Sequence, residues 1–272
     1  MKLAFSTLGC PEWSWGDIVA TAKDLGYDGI ELRGIEHQMF LPKASPMVGE
    51  QLPKTKNQLK HLGLNISCLT SSCSLHDTKL GTSLQEGEDY IDLAAKLEVP
   101  FIRVLGDSAP EPGVNPFPRQ QVKEGLQTLG KAARAKNITV LIETNGHLAD
   151  SGLLADLISE VNEPQIGVLW DIHHPYRFFN ESPATTIARL GKAIQYIHIK
   201  DSKIENGKIK YCMLGEGDLP IREIFGALSK EGYDGWVSLE WVKKWNPNIE
   251  EPGIVFPHSL ATMKRLLKEV AG

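Results

Sequence analysis

A chain of 272 residues with 42% hydrophobic and 23% charged side chains has the composition of an ordinary soluble globular protein, and no apolar run approaches the ~20 residues that cross a bilayer. The net charge of -5, with Lys and Arg scattered among the acids, offers no basic stripe of the kind that holds nucleic acid. The apolar start at Met1–Phe5 gives way at once to Ser6 and Thr7, too short for a secretion signal. The expectation is a cytoplasmic protein with neither a membrane nor a nucleic-acid partner. Four cysteines (Cys10, Cys68, Cys73, Cys212) without a CxxC pair read as reduced thiols, because disulfide frameworks belong to small secreted domains.

In chain order, short β-branched runs alternate with longer amphipathic stretches. Strands are predicted at 2–7, 28–33, 64–69, 101–105, 138–143, 166–171, 194–200 and 236–240. Each is brief, rich in Ile, Val and Leu, and bounded by Gly, Pro, Asn or Asp, as buried parallel strands are. Helices are predicted at 17–25, 50–62, 83–97, 118–136, 149–161, 183–191, 220–231 and 257–270. Thr82 and Pro257 serve as start signals, and Gly26, Gly63 and Gly232 as stops. Strict alternation of strand and helix, eight times over, closes into a single α/β domain, a (β/α)8 TIM barrel typically of about 250 residues. An open doubly wound sheet would need a Gly-rich phosphate turn after its first strand. The segment Thr7–Trp13 has none.

Barrel active sites sit at the C-terminal ends of the strands. There the fifth predicted strand ends in Glu143, the sixth in Asp171 and the eighth in Glu240, and the seventh carries His198 near its end. Period-2 alternation puts Tyr196, His198 and Lys200 on one face and Ile197 and Ile199 on the other. Glu240 shares a face with Ser238, opposite Val237 and Leu239. Three carboxylates and an imidazole crowded in one apolar mouth must be paired with something. One divalent cation does so, and the oxygen-rich donor set suits Mn2+, Mg2+ or Co2+, with Zn2+ also compatible.

These segments resemble the xylose-isomerase-like TIM-barrel superfamily, which holds keto-sugar isomerases and epimerases, inosose and dehydroshikimate dehydratases, and apurinic endonucleases. The matching stretches are Leu141–Asn145, Trp170–Pro175, Tyr196–Asp201, Gly215–Asp218 and Gly232–Glu240, with Gly26–Leu32 near the start. The resemblance makes Glu143, Asp171, His198 and Glu240 the metal ligands and His174 a substrate contact. It also places a histidine, here His76, facing the site after the third strand. Lys200 and Lys203, following His198, are candidates to hold a hydroxyl-rich or anionic substrate. Keto-sugar epimerases often carry an arginine in that loop, where this chain has Ser202-Lys203-Ile204-Glu205. Arg33 and Arg103 read as members of an ion-pair network inside the barrel more readily than as substrate groups. Trp13 and Trp15 follow the first strand, and Trp241 and Trp245 the eighth. These strands are neighbours in a closed barrel, so their aromatics, Trp13 and Trp241 foremost, can wall a sugar-binding mouth. Loop 241–256 reads as a lid or as the contact of a homo-oligomer.

The resulting expectation is a metal-dependent isomerase or epimerase of a small polyhydroxy carbonyl compound such as a keto-sugar. Glu143 and Glu240 are the expected acid/base pair, moving a proton through a metal-stabilised enediolate. A dehydratase of an inosose or dehydroshikimate type is the competing enzyme reading, since it begins with the same proton. A DNA endonuclease is disfavoured because the histidines of a multi-metal cluster are missing. A sugar-binding barrel without catalysis leaves the ligand set unexplained.

Overall fold

The structure is a computed structural model, described here for residues 1–271. Its strands are β1 (Lys2–Ser6), β2 (Gly29–Leu32), β3 (Asn65–Ser74), β4 (Phe101–Leu105), β5 (Thr139–Glu143), β6 (Ile166–Asp171), β7 (Ile194–Ile199), β8 (Asp201–Glu205), β9 (Lys208–Cys212) and β10 (Trp236–Leu239). Eight of them close a parallel barrel in the order β1-β10-β7-β6-β5-β4-β3-β2, and β8 and β9 form a separate antiparallel pair. The helices are α1 (Trp15–Leu25), α2 (Gln51–Leu62), α3 (Leu80–Leu97), α4 (Arg119–Arg134), α5 (Ser151–Val161), α6 (His173–Phe179), α7 (Pro183–Leu190), α8 (Ile221–Lys230) and α9 (Pro252–Ala271). The single (β/α)8 barrel expected from the alternation is the observed fold.

Local chemistry explains most boundaries. Ser14 and Asp17 form a reciprocal capping box that starts α1, and Gly26 ends it in the left-handed region at φ +81°. Asp150 accepts hydrogen bonds from the Gly152 and Leu153 amides and so starts α5. Thr82 starts no helix, because α3 begins at Leu80. The last helix also begins earlier than expected, at Pro252 rather than Pro257. Pro252 stands at the first position, where a missing N–H costs nothing, and Pro257 is carried inside.

The barrel interior is layered by period-2 alternation. Ala4, Cys68, Leu141, Leu169, Tyr196 and Trp236 pack together as an apolar plug, with Phe101 against them. Two residues further along the same strands stand Arg103, Glu143, Asp171, His198 and Ser238, all buried. The intervening residues Ile142, Trp170, Ile197 and Val237 belong to the larger core between strands and helices. These strands therefore lay an apolar floor and then present polar chemistry above it, at the C-terminal mouth.

The β8–β9 hairpin was not among the expected elements. Its turn is Asn206-Gly207, both at positive φ (53° and 75°), the two-residue turn that the twist of a hairpin favours. Asp201 anchors the following loop by accepting hydrogen bonds from the amides of Gly215 and Gly217, at 2.9 and 3.0 Å. A Cβ at Gly217 would collide with the Asp201 carboxylate.

Candidate active site

β5, β6, β7 and β10 are consecutive in the ring, and together they bring Glu143, Asp171, His198 and Glu240 into one group. One donor atom from each lies within 4.8 Å of all the others, and all four residues are buried. Glu240 falls one residue beyond β10 rather than on it, but its amide still donates to the Ile199 carbonyl at 3.0 Å, which holds it in the strand's line.

His198 is held from behind. Its Nε2 pairs with Glu31 Oε2 at 2.9 Å, which turns Nδ1 toward Glu240 Oε1 at 3.4 Å and toward Glu143 Oε1 and Asp171 Oδ2, each at 3.9 Å. That buried Nδ1 has no hydrogen-bond partner. An orphaned imidazole nitrogen facing three carboxylates is what a divalent cation would satisfy, and a carboxylate backing the far ring nitrogen is a common support for a ligating histidine. The residues present fit such an ion.

The charges around the cluster are unequal. The Lys200 ammonium is buried and bridges Asp171 and Glu240. Burial raises the Glu240 carboxyl, but Lys200 and His198 outweigh it and hold it well below the usual carboxylate range. Burial, with Glu240 adding to it, pushes Glu143 up to about 7, although Arg103 pulls the other way. Arg103 Nε stands 3.1 Å from Glu143 Oε2, and its Nη1 donates to the Ser71 carbonyl at 2.9 Å. Burial would lower His198, but Glu31 and then Glu240 push it up to about 9.

Above the cluster opens a cavity of about 350 Å3, whose lining includes Arg33, Arg103, Glu143, His174, Lys200, Tyr211, Glu240 and Trp245. This is the small end of ligand pockets, about 300–1,000 Å3. His174 lies on α6, a short helix not expected from the sequence. Its Nδ1 donates to the Thr144 carbonyl at 2.9 Å, so Nε2 carries the lone pair. Burial draws its pKa down to about 4 and keeps the ring neutral.

Several expected substrate groups stand elsewhere. Trp241 is 1% exposed and donates from Nε1 to the Glu250 carbonyl at 2.9 Å; it is core, pinning the loop that follows. Trp13 packs edge-on against Phe256. Lys203 projects from the β8–β9 hairpin, with its side chain 44% exposed, and pairs with Glu205 at 3.9 Å. His76 is tied to Ser74 Oγ at 2.7 Å and is not among the cavity's lining residues. Strand geometry governs where Glu143 or His198 points, whereas Trp13, Trp241 and His76 sit on loops whose course is set by tertiary packing, and Lys203 sits on a hairpin outside the barrel ring. Trp245, 58% exposed, supplies the aromatic face at the mouth. The two arginines divide: Arg103 joins the ion-pair network, whereas Arg33 forms no ion pair among the described residues.

A sequence model of the xylose isomerase-like TIM barrel matches residues 19–266. The chain belongs to the xylose isomerase-like TIM barrel family. Among members of this family, the inosose dehydratase of Yersinia enterocolitica is 23% identical, with 100% of this chain and 98% of that protein covered. The fructoselysine 3-epimerase of Shigella flexneri is 22% identical, with 99% of each covered. The matches to inosose dehydratases of Clostridium tetani and Clostridium botulinum span about half of those proteins, 46% and 48% of their length. Of solved structures, the probable 3-DHS dehydratase of petrobactin synthesis from Bacillus anthracis superposes with a TM-score of 0.78 at 20% identity, over 97% of this chain and 99% of that one. Relatives in this xylose isomerase-like family are thus epimerases and dehydratases, and the shared architecture is the barrel.

Proposed function

We propose that this chain is a divalent-metal enzyme that moves a proton next to the carbonyl of a small polyhydroxy compound, as an isomerase or epimerase. One observation carries the reading. Of the four clustered donors, only Glu143 and Glu240 also line the cavity, from the two ends of a four-strand arc, while Asp171 and His198 do not. Two carboxylates that face both the cluster and the substrate space form an acid/base pair approaching one compound from separate directions.

Glu143, Asp171, His198 and Glu240 would hold the ion, and their oxygen-rich donor set suits Mn2+, Mg2+ or Co2+, with Zn2+ compatible. When bound, it supplies Lewis-acid polarisation of a carbonyl oxygen. The chain's own groups do the rest. Lys200 and His198 keep Glu240 ionised, the form that both a metal ligand and a proton acceptor need. The ionised form of Glu143 would be favoured as well with a dication bound, so the two carboxylates would stand as bases at neutral pH, one removing a proton and the other, once protonated, returning one. His174 offers its Nε2 lone pair to a substrate hydroxyl. Trp245 gives an apolar face for a ring or carbon chain.

A dehydratase is the second reading, favoured by the full-length similarity to an inosose dehydratase. It takes the same proton and then expels a neighbouring hydroxide. The Mn2+-loaded protein, incubated with a panel of ketoses, inososes and 3-dehydroshikimate and followed by NMR, distinguishes the two. An epimerised or isomerised ketose supports the first reading, and loss of water supports the second. No turnover across the panel counts against both.

A further inference from the structure

Arg33 follows β2 and lines the cavity, yet it is only 8% exposed. Its Nη2 donates to Ser72 Oγ at 2.7 Å, while Nη1 is buried with no hydrogen-bond partner. The two other cations of the lining are compensated, Arg103 by Glu143 and Lys200 by Asp171 and Glu240. Among the described residues, no carboxylate lies within 4.0 Å of Arg33. Glu86, whose charge attracts it, is engaged with the Ser72 amide at 2.6 Å. A buried cation with an idle donor is costly unless something pairs it.

With Arg103 and Lys200 already paired, Arg33 is the cation of the lining left for an anion, and a single guanidinium with one idle nitrogen suits a monoanionic carboxylate better than a doubly charged phosphate.

We infer that the substrate of this site carries a carboxylate and that Arg33 receives it. The inference rests on the proposal that the cavity binds substrate, and it narrows the compound to a polyhydroxy keto acid.

Binding to the Mn2+-loaded protein, measured by calorimetry, tests it without turnover. The ligands are D-fructose, D-fructuronate and D-fructose 6-phosphate, which differ only at the sixth carbon, and 3-dehydroshikimate beside its methyl ester. In at least one of these sets, the carboxylate binds ~10–100-fold more tightly than its neutral partner, the range of a charge-assisted hydrogen bond. That ratio falls to about one in Arg33→Gln and is partly kept in Arg33→Lys. Melting of the ligand-free variants separates binding from structure, because removing an unpaired buried cation leaves the melting temperature unchanged or raises it. Equal binding of acid and neutral ligands, a preference that survives Arg33→Gln, tightest binding of the phosphate, or a large fall in melting temperature in Arg33→Gln overturns the inference. Arg33-dependent carboxylate binding without any proton exchange would leave it standing and sink the reaction proposed above. Exchange into a neutral ketose with no carboxylate preference does the reverse.

Discussion

Glu31 and His198, 167 residues apart, are joined by a 2.9 Å hydrogen bond inside the barrel, beneath the mouth. The bond fixes which imidazole nitrogen faces the three carboxylates. Glu31→Gln keeps the shape but removes the charge behind the ring. Mn2+ affinity should fall by ~10–100-fold, as for other supports of a ligating histidine, with little change in melting temperature. Titration calorimetry gives the answer, and unchanged affinity would mean that Glu31 does not orient the ligand.

Lys200 is the internal counter-charge of Asp171 and Glu240. Lys200→Met strands two buried carboxylates, at a cost of about 3–5 kcal/mol for a broken buried pair. The loss should be large in chelator-treated protein and mostly recovered with Mn2+, because the cation takes over the neutralisation. Melting curves with and without Mn2+ test this. An equal loss in both states would contradict the view that the cluster holds an ion.

Two tryptophans four residues apart should behave differently. Trp241→Ala empties a core position and should cost about 3–5 kcal/mol of stability. Trp245→Ala, at the exposed mouth, should leave melting unchanged and raise KM with little effect on kcat. A destabilised Trp245→Ala, or a neutral Trp241→Ala, would reverse the assignment.

The strand ends were legible because a strand buried on one face by helices and on the other by the barrel interior has a rigid period of two. Once Ile197 and Ile199 are assigned outward, His198 has one direction to point. Loops carry no such rule. Trp13 and Trp241 had the right composition for a substrate wall, but contacts with Phe256 and the Glu250 carbonyl decide their positions. The hairpin was in principle readable from Asn206-Gly207 between alternating residues, yet the polar run Asp201–Lys210 reads as a solvated loop. Arg33 and Arg103 look alike in sequence, and only the placement of Glu143 beside one of them separates their roles.

The two-carboxylate reading is tested most directly by solvent deuterium exchange into a turned-over substrate, comparing wild type with Glu143→Gln and Glu240→Gln after metal content is matched. Each substitution preserves size and removes the ability to carry a proton. The account predicts that deuterium enters next to the carbonyl in wild type and that turnover falls by ~10²-fold or more in each variant. Near-normal exchange and turnover in both variants, with metal still bound, would contradict it.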